Sequence, residues 1–235
     1  MTPETPRRQF LKTTATAAAL IGLTGVSFLQ GCDNDKKDDV SPAEDLMREH
    51  GLLNRILLVY DTCKIHLINN ETFSIDAMID AAQIIRHFIE DYHEKLEEDF
   101  LFPRFEKANY LSDLVLVLRR QHQAGRIITD RLINIGKLKS FTHEDNQKVI
   151  KLLSDFNRMY RPHEAREDTI LFPGLKKIIT PNEYDSLGED FEKKEQELFG
   201  KGGFESMVDK VAEIEKQLDI YDLAKFTPIL NETNQ

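Results

Sequence analysis

The chain has only two cysteines, Cys32 and Cys63, in 235 residues. The first falls at the end of an N-terminal leader, so the remaining domain has no pair from which to build a disulfide framework. Its stability has to come from a core and from any bound ion. Basic charge is scarce too: 31 lysines and arginines face 41 acids, for a formal net charge of −10. Residues 1–31 carry Arg7, Arg8 and Lys12 against the single acid Glu4, so the body without them is more acidic still. Such a body argues against nucleic acid as a partner and against electrostatic adhesion to anionic lipid, and no basic, aromatic-interleaved patch revives either idea. Strand-like alternation of apolar and polar residues is also missing, which leaves an all-α chain.

What is present begins with a leader. Arg7-Arg8-Gln9-Phe10-Leu11-Lys12 precedes an uncharged stretch, residues 13–30, rich in alanine and other small residues, in the basic, apolar, small order of an export signal. The arginine segment resembles the twin-arginine export signal, and Leu29-Gln30-Gly31-Cys32 resembles the lipobox cut by a lipoprotein signal peptidase. Together they imply a lipidated Cys32 and an exported domain anchored at the outer face of the cytoplasmic membrane, on the periplasmic side in a Gram-negative cell. The alternative is an uncleaved membrane helix, since about 18 uncharged residues is borderline for a span; either way the domain is tethered. Residues 33–40 form a charged linker. The twin-arginine route carries folded proteins, which suits a domain that loads a metal before crossing.

Helix signals then follow in series. Ser41-Pro42-Ala43-Glu44 offers an N-cap, a proline at the first helical position and a glutamate placed for a capping box, predicting a helix to about Leu67. Ser74 caps a second, with Ile75, Met78, Ala82, Ile85, Ile89, Leu96 and Phe100 in helical period and Pro103 as its close. A third is predicted from about Leu111 to Leu138, and a fourth from the Thr142 cap through Leu152, Phe156 and Met159. Residues 41–178 make the bundle; residues 179–235 add a helical pair that opens at Thr180-Pro181-Asn182-Glu183 and breaks at the glycines 200, 202 and 203. The predicted fold is an up-and-down antiparallel four-helix bundle with extra C-terminal helices packed on it.

The chain also matches itself. His93-x-x-x-Glu97-x-x-x-Leu101-Phe102-Pro103 aligns with His163-x-x-x-Glu167-x-x-x-Leu171-Phe172-Pro173 at an offset of 70 residues, and Glu49-His50 with Gln121-His122 at an offset of 72. In each copy one helix supplies a histidine and the next supplies His-x-x-x-Glu. Residues four apart sit about 40° apart around a helix, so each His/Glu pair shares a face, and that face is the apolar stripe flanked by Ala82, Ile85, Ile89 and Phe100 in one copy and by Leu152, Phe156, Met159 and Ile170 in the other. An unpaired carboxylate in such a core costs several kcal/mol. Two glutamates and four histidines there call for cations or partners, and the sequence offers few basic residues inside. Donors of imidazole and carboxylate without thiolate favour iron, manganese or zinc. By symmetry one ion takes His50 and His93, the other His122 and His163, with Glu97 and Glu167 bridging at a separation of roughly 3.5–4 Å.

This pattern, over about Asp45 to Leu175, resembles the hemerythrin-like HHE cation-binding family. The resemblance implies a bundle around two non-haem iron ions, with manganese possible, that binds dioxygen or senses oxygen and iron, and it implies the same six ligands. In the oxygen-carrying members the third helix reads His-x-x-x-His; here the fourth residue after His122 is Arg126. Open positions on both ions would admit peroxide or nitric oxide chemistry as readily as reversible oxygen binding. Gly125 would leave room for a small ligand, and Arg126 would guide or pair with an anion. His66, His87 and His143 read as structural, Glu94 and Glu164 as solvated surface acids, Tyr92 and Tyr160 as second-layer donors or packing, Cys63 as a small buried hydrophobe, and Pro162 as a kink before His163. A metal-free structural bundle is the bland alternative. A ferritin-like site would need Glu-x-x-His twice, and only Glu90-x-x-His93 fits.

Overall fold

The computed structural model describes residues 40–138 and 141–229. The expected leader, the expected linker up to Asp39 and Cys32, the expected point of lipid attachment, lie outside the described residues. Among the described residues no helix is long and apolar enough to cross a membrane.

Helix α1 (Pro42–Asn69) starts where Ser41 Oγ accepts from Glu44 N at 3.3 Å and stops at Asn70, whose left-handed backbone (φ 55°) turns the chain. Helix α2 (residues 75–107) is capped by Ser74, α3 runs Ser112–Ile135, and α4 (residues 143–175) opens on a capping box in which Thr142 and Asp145 each satisfy the other's backbone N–H. Two further helices, α5 (Pro181–Phe199) and α6 (Gly203–Gln217), follow, α5 with a second capping box at Thr180 and Glu183. Short connections force successive helices to run antiparallel. In α1 to α4 each helix packs on the next and α4 closes back on α1.

The apolar stripes bury one continuous core, with Leu52, Ile56, Tyr60, Phe88, Ile89, Val115, Leu118, Phe156 and Leu171 all nearly inaccessible. The C-terminal pair extends this core. Phe199 and Phe204 meet Phe88, Phe191 meets Phe100, and Arg55 of α1 holds Glu215 of α6 through two nitrogens, at 2.9 and 2.6 Å. These contacts cover the face that α1 and α2 turn away from α3 and α4.

One expectation fails at a proline. Pro103 does not close α2, which continues through Phe102–Lys107, because the helix widens into π turns over Ile85–His93 and again over Glu97–Leu101. Phe102 N donates to Glu97 O, five residues back. A proline lacks the N–H of an α turn and crowds the carbonyl four residues before it; a wider turn ahead of it absorbs both defects. The second copy repeats this: α4 passes through Pro162 as α-helix, departs only at Glu167–Leu171, where Phe172 N donates to Glu167 O, and resumes at Phe172–Leu175. The extra residue per π turn rotates the stripe, so Ile170, expected inside, is 41% exposed.

Helix α3 packs tightly against α4 at Gly125. A Cβ there would lie 2.1 Å from Tyr160 Oη, whereas one at the exposed Gly51 of α1 would meet nothing within 4 Å. Gly125→Ala is therefore expected to destabilise the fold by about 1–3 kcal/mol through overpacking, and Gly51→Ala to stabilise it by roughly 0.5–1 kcal/mol. Urea denaturation followed by circular dichroism reads both; equal effects would refute the close approach.

Candidate metal centre

Each of the four core helices brings one histidine to the middle of the bundle: α1 His50, α2 His93, α3 His122, α4 His163. The glutamates one turn on from the second and fourth, Glu97 and Glu167, join them, and all six side chains are between 0 and 4% exposed. The Nε2 atoms of His50 and His93 are 3.1 Å apart, and those of His122 and His163 are 3.2 Å apart. Glu167 Oε2 lies 3.3 Å from His50 Nε2 and 3.1 Å from His163 Nε2; Glu97 lies 3.9 Å from His93 Nε2 and 3.4 Å from His122 Nε2. Each carboxylate thus reaches across from one histidine pair to the other.

What surrounds the histidines decides their protonation. His50 Nδ1 faces Asp168 at 2.7 Å, His93 Nδ1 faces Glu49 at 2.8 Å, His122 Nδ1 faces Glu98 at 3.1 Å, and His163 Nδ1 faces the amide oxygen of Gln121 at 2.9 Å. Carboxylate and amide oxygens only accept, so each Nδ1–H donates outward and, in the neutral imidazole, each Nε2 presents a lone pair inward. Two facing lone pairs at about 3 Å repel unless something positive lies between. The four carboxylate oxygens of Glu97 and Glu167 are equally uncommitted: buried, and without a hydrogen bond of acceptable geometry among the described residues. They converge on a common volume rather than on a partner. Two nitrogens held side by side on one ion at about 2.0–2.1 Å would be about 3 Å apart, the spacing found here. The donor set therefore fits metal cations, with one oxygen- and nitrogen-lined group at Glu97, His122, His163 and Glu167 and another at His50, His93 and Glu97.

Metal-free, the centre has to hold protons instead. Burial works against a charged His50, but Asp168 and Glu167 outweigh it and push its pKa up to about 10; His93 beside it is pulled down by burial and by that charge, against Glu49. Burial also takes His122 down to about 4 despite Glu98. Glu97 is raised by burial and by the facing Glu167, whereas burial of Glu167 is overridden by His163 and His50, which keep it ionised. One carboxyl of the two carries the proton.

Two aromatic rings brace two of the histidines. Phe102 stacks on His122 and Phe172 on His50, with ring centroids 5.5 Å apart in both cases. These are the phenylalanines of the two Leu-Phe-Pro motifs, and the π turns before the prolines set their direction.

The structure corrects several readings. Glu94 and Glu164, taken as surface acids, are 1% and 3% exposed. Glu94 accepts from Tyr160 Oη at 2.6 Å and pairs with Arg126 at 2.7 Å; Glu164 accepts from Asn54. Burial raises both carboxyls to about 8. The space assigned to a ligand at Gly125 is filled by the Tyr160 ring, and Arg126 is committed to Glu94 and Glu98 rather than free for an anion. His66 bonds Glu71 and stacks on Phe73, His87 is exposed, and His143 sits exposed at the start of α4. Cys63 is fully buried, its thiol pushed up to about 12 by burial. The Nδ1 acceptors Glu49, Glu98, Gln121 and Asp168 went unread in the sequence, although each directly precedes or follows a ligand at matching places in the two copies.

Comparison with known proteins agrees with this construction. The family model described as the hemerythrin HHE cation binding domain matches residues 41–175. Relatives include an uncharacterized protein of Mycobacterium bovis and another of Mycobacterium tuberculosis, each 42% identical over 231 residues that cover 94% of this chain and 91% of the relative. No solved structure matches. Because the family match takes in both ligand-bearing copies and every helix that supplies a donor, the chain belongs to the hemerythrin HHE cation-binding family.

Proposed function

We propose that the chain holds two non-haem iron ions, manganese being the alternative, and uses them to bind dioxygen or a related small ligand for sensing, storage or delivery. The observation that carries this reading is the pair of Nε2–Nε2 approaches at 3.1 and 3.2 Å, with every Nδ1 donating outward and both glutamates spanning the pairs. His50 and His93 would hold one ion, His122 and His163 the other, and Glu97 and Glu167 would connect them. Bound, such ions supply a Lewis acid and a one-electron reductant at neutral pH. The chain's own residues fix the imidazoles, keep bulk water away and limit what can enter: ligands 0–4% exposed admit a small molecule rather than a metabolite.

Residues 1–32 support a further part of the proposal, an exported and lipid-anchored location through Cys32 at the outer face of the cytoplasmic membrane. The ligand handled there would be dioxygen, peroxide or nitric oxide. Arg126, the feature that favoured an enzyme consuming peroxide or nitric oxide, is paired with protein carboxylates, and the binding reading is preferred.

Anaerobic reconstitution with ferrous iron is expected to give about two irons per chain by elemental analysis, with a visible charge-transfer band appearing on exposure to air. His93→Ala and His163→Ala should each lose at least one ion. At a free metal concentration about 100 times the dissociation constant, loading should add roughly 2.7 kcal/mol per site to stability, seen as a rise in Tm. A chain that takes up no metal sinks the reading; sustained turnover of peroxide would move it to the enzyme alternative.

Metal uptake should also release protons. His50 stays protonated up to about pH 10 in the metal-free chain, so an ion entering at pH 7 has to displace that proton, and the sign is that affinity rises with pH. About a tenfold gain per pH unit through the neutral range is expected for each proton displaced, and Glu97, also raised by burial, adds a second to that of His50. Calorimetry in buffers of different ionisation enthalpy counts the protons released; pH-independent affinity would contradict the assignment of His50.

A further inference from the structure

The two halves of the centre share one construction but differ in charge. Glu49 precedes His50, and Gln121 precedes His122; they fill the same role, accepting from Nδ1 of His93 and of His163 at 2.8 and 2.9 Å. One is a carboxylate and the other a neutral amide. Four residues after the same histidines stand Asn54 and Arg126. Asn54 donates to Glu164, whereas Arg126 pairs at 2.7 Å with Glu94, the counterpart of Glu164, and at 2.8 Å with Glu98. Glu98 also receives Lys95 at 2.5 Å. Its counterpart Asp168 accepts from His50 at 2.7 Å and pairs with no lysine or arginine among the described residues. The pair His50 and His93 is thus backed by two carboxylates. The pair His122 and His163 is backed by an amide and by one carboxylate whose charge is shared with two cations.

A carboxylate accepting from Nδ1 makes the imidazole a stronger donor, and a nearby negative charge in a water-poor interior lowers the energy of a divalent ion. An arginine at the same range raises it. We infer that the two ion positions are unequal, the His50–His93 position binding first and more tightly than the His122–His163 position, with Glu49, Gln121 and Arg126 setting the difference. This rests on the two-ion reading proposed above. The repeat that supplies identical ligands therefore builds two different sites, one retentive and one exchangeable.

The test is a titration of the full chain with ferrous iron under anaerobic conditions against a competing chelator. Two binding steps are expected, the first at least about tenfold tighter than the second. Because two like ions repel even at identical sites, the order of filling is decisive. Replacing His122 and His163 by alanine should leave the tight step in place; replacing His50 and His93 should abolish it and leave only a step at least about tenfold weaker. Two near-isosteric changes guard against misfolding, with helix content checked by circular dichroism. Glu49→Gln should weaken the tight step by about 10–100-fold, and Gln121→Glu should tighten the weak one and narrow the gap. Equal affinities in the two double-alanine variants, or constants unmoved by both Glu49→Gln and Gln121→Glu, would overturn the inequality while leaving a two-ion centre standing. A chain that binds no iron at all would refute the centre and the inequality together.

Discussion

Four imidazole rings whose Nδ1 protons are committed outward turn their Nε2 atoms into one buried volume between four helices, together with four carboxylate oxygens that have no hydrogen bond among the described residues. Unpaired polar atoms in such a place cost several kcal/mol together, and like lone pairs facing at about 3 Å cost more. The rest of the bundle is what withstands that cost. Its core is continuous from α1 to α6, and the C-terminal pair adds phenylalanines at the back of α2, behind the helix that carries His93 and Glu97. Stability and binding oppose each other until a cation enters, and then they act together.

The π turns connect backbone to chemistry. A regular α-helix would carry Pro103 and Pro173 into a clash and leave the phenylalanines before them facing elsewhere. Widening the turn at Glu97 and Glu167 lets the helix accept the proline, and it sets Phe102 and Phe172 flat against His122 and His50. Departures from α geometry of this kind gather at functional sites because the helix tolerates them only where something is gained.

Much of this was legible in the sequence. The caps at Ser41, Ser74, Thr142 and Thr180 place the helix starts within a residue, since a side-chain oxygen feeding the first N–H groups is a local device. The six candidate donors were legible because His-x-x-x-Glu recurs at an offset of 70 residues, and the structure buries all six together. Residues that act through a neighbour on another helix were not. Glu94 and Glu164 look like surface acids on their own helix, and only the arrival of Tyr160, Arg126 and Asn54 from across the bundle makes their burial tolerable. Nor does helical period announce a π turn, so the outward swing of Ile170 was invisible until the backbone was seen.

The supports of the centre cross between the copies. Phe102 and Glu98, from the first copy, hold His122 of the second; Phe172 and Asp168, from the second, hold His50 of the first. Glu97 likewise lies nearer His122 than His93, and Glu167 reaches His50 almost as closely as His163. Among the described residues, the stacked phenylalanine and the Nδ1 acceptor of each copy's first histidine come from the other copy. A polypeptide with a single copy would carry half of each requirement and could complete them only against a second molecule of itself. The duplicated chain has made that encounter intramolecular, so the centre assembles at a rate and affinity independent of protein concentration.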